Sequence, residues 1–176
     1  MRHHAGLLLV AVAAAAGAVA YTSHGRARAA DSTASGAIDR TQPRACLARL
    51  PFEPLFRHAA AASGIPESLL IAVAEQESSF DPHARSAASA RGLMQVLPHT
   101  ATALGLDANR MDENVLAGAL YLRRMLRRFQ SLDLALAAYN AGPTAVERLH
   151  RAPTMTVLEY VQNVTTRWVA LSGCQP

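Results

Sequence analysis

Apolar residues recur at spacings of three and four along most of this chain after its first quarter, the mark of helices with one face turned to a core. Phe52 to Ser63 is one such stretch, stopped by Gly64. Pro66 suits the first turn of a second, where Leu69, Leu70, Val73 and Ala74 form an apolar stripe. Gly and Pro punctuate residues 81–98, which read as a loop with short helical turns. Thr100 to Leu104 reads as a short helix ended by Gly105. Asp112 is placed to cap a longer one, in which Val115, Ala119, Leu122, Leu126 and Phe129 recur at four and three. Ser131 can cap the next, which runs through Leu132, Leu134, Ala135 and Ala138 to a stop at Asn140-Ala141-Gly142-Pro143. Thr156 and Glu159 have the T-x-x-E spacing of a capping box for a last helix to Leu171. No run alternates in the manner of strands, and no repeat of roughly 20–50 residues appears. The fold expected is mainly α.

The N-terminus has a different pattern. Arg2, His3 and His4 precede an apolar run from Leu7 to Ala20, which is shorter than the ~20 residues a bilayer span needs. Ala18-Val19-Ala20 and Ala27-Arg28-Ala29 both fit a small-x-small cleavage site. Residues 1–29 are therefore expected to be a signal peptide with its cleavage point open, the alternative being a permanent anchor. That places the protein in the periplasm or outside the cell. No cysteine follows the apolar run closely, so lipidation there is not expected. Residues 30–45, small and polar with little apolar periodicity, read as a linker to a single domain over 46–174.

Export changes the meaning of the charge. All 17 basic residues are arginine, and the formal net charge is +4. Removing residues 1–29 takes away Arg2, Arg26 and Arg28 but none of the 13 acids. The remainder is nearly neutral, which argues against a nucleic-acid partner. Cys46 and Cys174 flank the domain and in an oxidising compartment can close one long loop, worth about 4–5 kcal/mol in the chain-entropy model. Two unpaired thiols are the alternative. No close Cys or His pair supports a zinc site.

Within "AEQESSF", residues 74–80, two glutamates stand one residue apart. On a wheel at ~100° per residue, Glu77 falls beside Leu70, Val73 and Ala74, whereas Glu75 points roughly opposite, to the solvated face. A carboxyl group that extends an apolar stripe is partly desolvated, and desolvation raises its pKa. A general acid working near neutral pH needs that shift. A buried glutamate satisfied by a structural Arg or Tyr fits the same position.

Taken together, "ESSFDP", "GLMQVLPHTA" and "AAYNAGP", in this order, resemble the soluble lytic transglycosylase family over roughly residues 53–165. The resemblance implies a small, mainly helical, lysozyme-like domain with a substrate cleft. It implies peptidoglycan glycan strands as substrate, cut at the β-1,4 bond between N-acetylmuramic acid and N-acetylglucosamine. Glu77-Ser78 matches the family's catalytic Glu-Ser pair, which makes Glu77 the single acid/base. It protonates the glycosidic oxygen, then takes the proton of the muramoyl C6 hydroxyl as that hydroxyl closes a 1,6-anhydro ring. An ordinary glycosidase needs two carboxylates. Here the substrate's N-acetyl group and own hydroxyl can replace the second, with the high effective molarity of an intramolecular nucleophile. No cofactor and no metal is implied. Small members of the family often open the wall for a secretion, conjugation or pilus apparatus. Components of such a machine are therefore expected partners, and the protein is expected to be a monomer.

Other positions carry readings of the same kind. Tyr139 matches a tyrosine near the acid and is expected to hold the Glu77 carboxyl, a core tyrosine with a satisfied hydroxyl being the alternative. Gln95 matches a glutamine that contacts sugar, its amide offering one donor and one acceptor to an N-acetyl group, with a loop-stabilising role as the alternative. Ser86 matches a serine at the rim of the cleft. Asn140 either orients the site or caps its helix, Ser78 binds sugar or caps backbone, and Tyr160 lines the cleft or belongs to the core. Leu93 and Met94 read as packing. Asp81, the nearest second carboxylate, precedes Pro82 and reads as a turn residue. The chain departs from the family at Ser89, where Gly is common, and at Leu97, where Met is common; both bear on loop shape and sugar fit. Arg123, Arg124, Arg127 and Arg128 read as a solvated helix face that can also attract anionic glycan peptides. No H-E-x-x-H pair or G-x-S-x-G elbow appears. A hydrolytic lysozyme of the same fold and a peptidoglycan-binding scaffold without turnover are the alternatives.

Overall fold

The computed structural model describes residues 47–173. A 3-10 turn (Leu47–Arg49) leads into seven α-helices among them: α1 (Glu53–Ser63), α2 (Glu67–Ser78), α3 (Pro98–Thr102), α4 (Met111–Phe129), α5 (Leu132–Ala141), α6 (Pro143–Leu149) and α7 (Met155–Ser172). The described residues contain no strand beyond two isolated bridge pairs, Arg85 with Arg91 and Arg91 with Val96. The expected signal peptide and linker, and both members of the expected Cys46–Cys174 pair, lie outside the described residues. No described helix is long and apolar enough to cross a membrane.

The core is built around α2. Ser68 through Ala74 are buried without a break, so the helix is enclosed on all sides and not only along the stripe of Leu69, Leu70, Val73 and Ala74. The helices α1 and α7 pack against it, α4 lies against α1 and α5, and α5 meets α6 and α7. Phe56, Leu70, Ile71, Leu93, Leu122 and Leu136 are wholly sequestered, each stabilising the fold by about 1.5–3 kcal/mol. Ser68 answers its burial by accepting a hydrogen bond from Trp168 Nε1 at 3.2 Å, which ties α2 to α7. Glu75 is not simply solvated as the wheel suggests. It is partly exposed and pairs with Arg167 of α7 at 2.5 Å.

Helix ends follow local chemistry, with four corrections. Gly64 takes φ +73° and its N–H returns to the Ala60 carbonyl, ending α1 as expected. The Oγ of Ser131 caps α5. However, α3 begins at Pro98, two residues earlier than the reading from Thr100, because proline's fixed φ suits a first turn. Asp112 is not the cap of α4. It lies inside the first turn, beside Arg110, where a negative charge favours the helix dipole. Thr154 and not Thr156 caps α7, its Oγ1 accepting from Val157 N at 3.2 Å. Finally, Gly142-Pro143 not only stops α5 but starts α6, with proline at N1.

The exit from α2 positions the site. Ser79 and Phe80 both adopt left-handed backbone, φ +50° and +64°, a conformation that costs roughly 1–2 kcal/mol per non-glycine residue. The Phe80 ring packs edge-on against Phe56 with centroids 6.3 Å apart, a contact that offsets part of that cost. The chain thus turns sharply just after Glu77.

Candidate active site

Residues 81–97 fold over the end of α2 as a braced loop. Arg91 and Val96 exchange both backbone hydrogen bonds at 3.0 Å and close Gly92-Leu93-Met94-Gln95 into a tight turn. Three side chains from different helices hold that turn. Ser78 of α2 donates to the Leu93 carbonyl at 2.9 Å. Tyr139 of α5 donates to the Met94 carbonyl at 2.8 Å. Asn114 of α4, buried, accepts from Met94 N at 3.0 Å and donates to the carbonyls of Arg91 and Ala108 at 2.7 and 3.0 Å. Gly92 is needed at its position twice over. Its φ is +70°, and a Cβ there would stand 2.8 Å from the Asn114 side chain.

Glu77 lies at the end of α2, half-buried. Burial pushes its carboxyl up from the ordinary 4.5 to about 7, while a hydrogen bond from the Tyr160 hydroxyl, 2.7 Å from Oε1, pulls the other way. Burial is the larger effect. Burial and then the charge of Glu77 hold both Tyr139 and Tyr160 well above the usual phenol range, so both remain donors. A carboxyl poised near 7 carries a proton in about half of the molecules at neutral pH, the condition for a general acid.

Two hollows meet at this carboxyl. The larger, about 390 Å³, is bordered by Ser86, Gln95, Tyr121, Tyr139 and Asn140 as well as Glu77. The smaller, about 230 Å³, is bordered by Glu77, Asn140, Glu159, Tyr160 and Asn163. A linear polymer could therefore run past Glu77 on both sides.

The positions singled out in sequence take up varied roles. Glu77, Ser86, Gln95, Tyr139 and Asn140 come together at the larger hollow. Tyr139, expected to hold the carboxyl, instead gives its hydroxyl to the Met94 carbonyl, and the phenol that reaches Glu77 is Tyr160. Tyr160 is both core and site, since it is 5% exposed and still borders the smaller hollow. Ser78 gives its hydroxyl to backbone, to Leu93 or to its own helix at Ala74, and borders neither hollow. The Gln95 amide nitrogen donates to the carbonyls of Ala84 and Gly92 at 3.1 and 3.0 Å, which leaves Oε1 as its free group. Ser86 Oγ accepts from Ala90 N at 3.1 Å, and its hydroxyl hydrogen remains available. Asp81 accepts from His83 N in an Asx turn, as its reading before Pro82 suggests. Ser89 has φ +67°, the left-handed region that favours glycine, and Leu97 borders the larger hollow.

Three residues of the site escaped the sequence reading. Asn114, Gly118 and Tyr121 recur at four and three on one face of α4, the face turned to the loop. A Cβ on Gly118 would stand 2.6 Å from that of Met94, so the close approach needs glycine. Tyr121 stacks at a tilt on Tyr139, centroids 5.4 Å apart, and borders the larger hollow. The signal was a polar Asn114 in line with buried positions, which the apolar periodicity passed over.

Known proteins with this arrangement are consistent. The family model described as transglycosylase SLT domain matches residues 54–155. A membrane-bound lytic murein transglycosylase F of Desulfosudis oleivorans is 39% identical over 103 residues, covering 53% of this chain and 23% of that protein. A membrane-bound lytic murein transglycosylase C of Histophilus somni is 38% identical over 121 residues, covering 54% of this chain and 32% of that protein. The chain thus spans a third or less of the length of these relatives. Among solved structures, an inactive mutant of the lytic transglycosylase Slt from Pseudomonas aeruginosa superposes with a TM-score of 0.64 at 29% identity, over 70% of this chain and 24% of that one. The 70 kDa soluble lytic transglycosylase of Escherichia coli gives 0.61 at 27% identity, over 68% and 24%. With more than half of its length matched by the family model and the lysozyme-like helical fold shared, the chain belongs to the transglycosylase SLT domain family.

Proposed function

We propose that this chain is a peptidoglycan lytic transglycosylase in which Glu77 is the single acid/base. The observation that carries the reading is the half-buried Glu77 carboxyl, raised to about 7 and held by Tyr160 where two hollows meet. Tyr160 donates to Oε1, so the carboxylic proton belongs on Oε2, the oxygen left to face substrate. In the first step that proton passes to the glycosidic oxygen as its bond to the muramoyl C1 breaks. In the second, the Glu77 carboxylate takes the proton of the C6 hydroxyl while that oxygen bonds to C1. A 1,6-anhydro end forms, no water is consumed, and Glu77 ends protonated as it began. Gln95 Oε1 is suited to accept from an N-acetyl N–H, Asn140 and Ser86 to meet sugar hydroxyls, and Tyr121 and Tyr139 to face a sugar ring.

One observation favours a hydrolytic lysozyme as a second reading. Glu159 borders the same small hollow as Glu77 and is a candidate second carboxylate. It is exposed, whereas Glu77 is partly desolvated. Mass spectrometry of muropeptides released from purified peptidoglycan decides between them. Anhydro products from the wild type and none from Glu77→Gln are the expected result. Products heavier by one water, lost on Glu159→Gln, would make the protein a lysozyme. Binding to peptidoglycan with no product from the wild type would make it a scaffold.

The proposal extends to residues outside the site. Residues 1–29 direct export, 30–45 link, and 46–174 form a monomeric domain closed by a Cys46–Cys174 disulfide, which a thiol count on the denatured, unreduced protein tests. The exported enzyme opens the wall beside a secretion, conjugation or pilus apparatus. Affinity capture that recovers no component of such a machine would count against that role.

A further inference from the structure

The four arginines Arg123, Arg124, Arg127 and Arg128 look alike in the sequence of α4 but not in the fold. Arg124 and Arg128, one turn apart, border a hollow of about 280 Å³ together with His99, Thr100 and Tyr121. Thr100 and Tyr121 also border the larger hollow beside Glu77. The cationic hollow therefore adjoins the cleft through those two residues, whereas the hollow at Tyr160 adjoins it through Glu77 and Asn140. Arg123 and Arg127 border none of the three. Arg128 is partly neutralised by Glu147 at 2.6 Å. Arg124 is exposed and forms no ion pair with any described residue. Both charges act on the Tyr121 phenol and pull against the effect of its burial, which places them close to the ring that separates the two hollows. Leu104, Met125 and Pro143 give the cationic hollow an apolar side.

We propose that Arg124, assisted by Arg128, forms an anion subsite for a carboxylate of the peptide stem carried by the glycan strand in the cleft. This rests on the peptidoglycan reading above and deepens it. Where a muramoyl sugar carries a stem, its lactyl carboxyl is taken up in the amide bond to the peptide, so the free carboxylates of that unit reside in the stem. A guanidinium presents a planar fork of donors that matches a carboxylate. The apolar side of the hollow suits the alkyl parts of the same stem. Of the two guanidiniums Arg124 leads, because it has no carboxylate of its own to give up.

The test is binding of soluble peptidoglycan strands to the Glu77→Gln protein, with stem carboxylates either free or converted to amides. Free strands are expected to bind about two- to fivefold more tightly, the range for a partly exposed ion pair, and the preference should shrink as salt is raised. Adding Arg124→Gln should bring the ratio to one, whereas adding Arg127→Gln should leave it intact. A ratio that survives Arg124→Gln, or a ratio of one in the parent protein, overturns the subsite, and so does failure of any strand to bind. Release of anhydro products by the wild type reports separately on the catalytic reading. Selective binding without turnover removes that reading and keeps the subsite. Turnover with an Arg124-independent ratio does the reverse.

Discussion

Tyr160 of α7 donates a hydrogen bond to Glu77 of α2 at 2.7 Å, across 83 residues of sequence. The contact opposes the desolvation of the carboxyl, which without it would titrate higher still. Tyr160→Phe should therefore shift the fall of activity with pH to higher pH. In the wild type kcat/KM declines as pH rises through about 7, because the general acid loses its proton there. A limb that stays in place or moves to lower pH in the pH profile of Tyr160→Phe would show that this bond does not tune the acid.

Glu77→Gln should lower turnover by about 10²–10⁴-fold, the range for removing a general acid, and should stabilise the fold at alkaline pH. The folded pKa of Glu77 lies above its unfolded value, so the native state binds the extra proton between about 4.5 and 7. Stability of the wild type thus falls as pH rises through that window and levels off above it. The variant escapes the loss, on the order of 3 kcal/mol for a carboxyl raised from 4.5 to about 7. Denaturant unfolding of both proteins at pH 4.5 and pH 8 measures it as a double difference. A variant no more stable relative to wild type at pH 8 than at pH 4.5 would mean that Glu77 is not desolvated.

Asn114→Ala should cost about 2–3 kcal/mol or more, because it strips buried Met94 N and the carbonyls of Arg91 and Ala108 of their partner together. Tyr139→Phe removes one hydrogen bond to the same loop and should cost about 1 kcal/mol. Both should raise KM through Gln95, whose backbone belongs to that loop. Equal unfolding midpoints for the two variants would contradict the ranking.

Glycine positions separate crowding from backbone strain. Gly64 and Gly92 share a left-handed φ, +73° and +70°, but only Gly92 has a side chain against it, at 2.8 Å. Gly64→Ala should cost about 1 kcal/mol from backbone alone, and Gly92→Ala clearly more, with loss of loop order. Thermal melts of the two variants test this directly, and a Gly92→Ala protein as stable as Gly64→Ala would show that Asn114 yields freely.

What the sequence determined by itself was local. Gly64 ends α1 because only glycine adopts left-handed backbone at no steric cost, and the Ser131 hydroxyl reaches an orphan N–H three residues on. Residues 66–78 place Glu77 beside apolar neighbours by helical geometry alone, which was enough to single it out. Which phenol serves Glu77 was not local. Tyr139 and Tyr160 lie on different helices, and their hydroxyls were assigned by how α7 packs on α2 and α5 on α4 and α7, not by their distance in sequence. The Ser78 hydroxyl and the Gln95 amide nitrogen went to backbone for the same reason, because the loop that covers α2 brings unpaired carbonyls to these donors. Asn114 and the division of the α4 arginines are tertiary in the same sense. A helical wheel fixes angles about one axis, and only the packing of other chain segments around that axis decides which angle faces core, cleft or solvent.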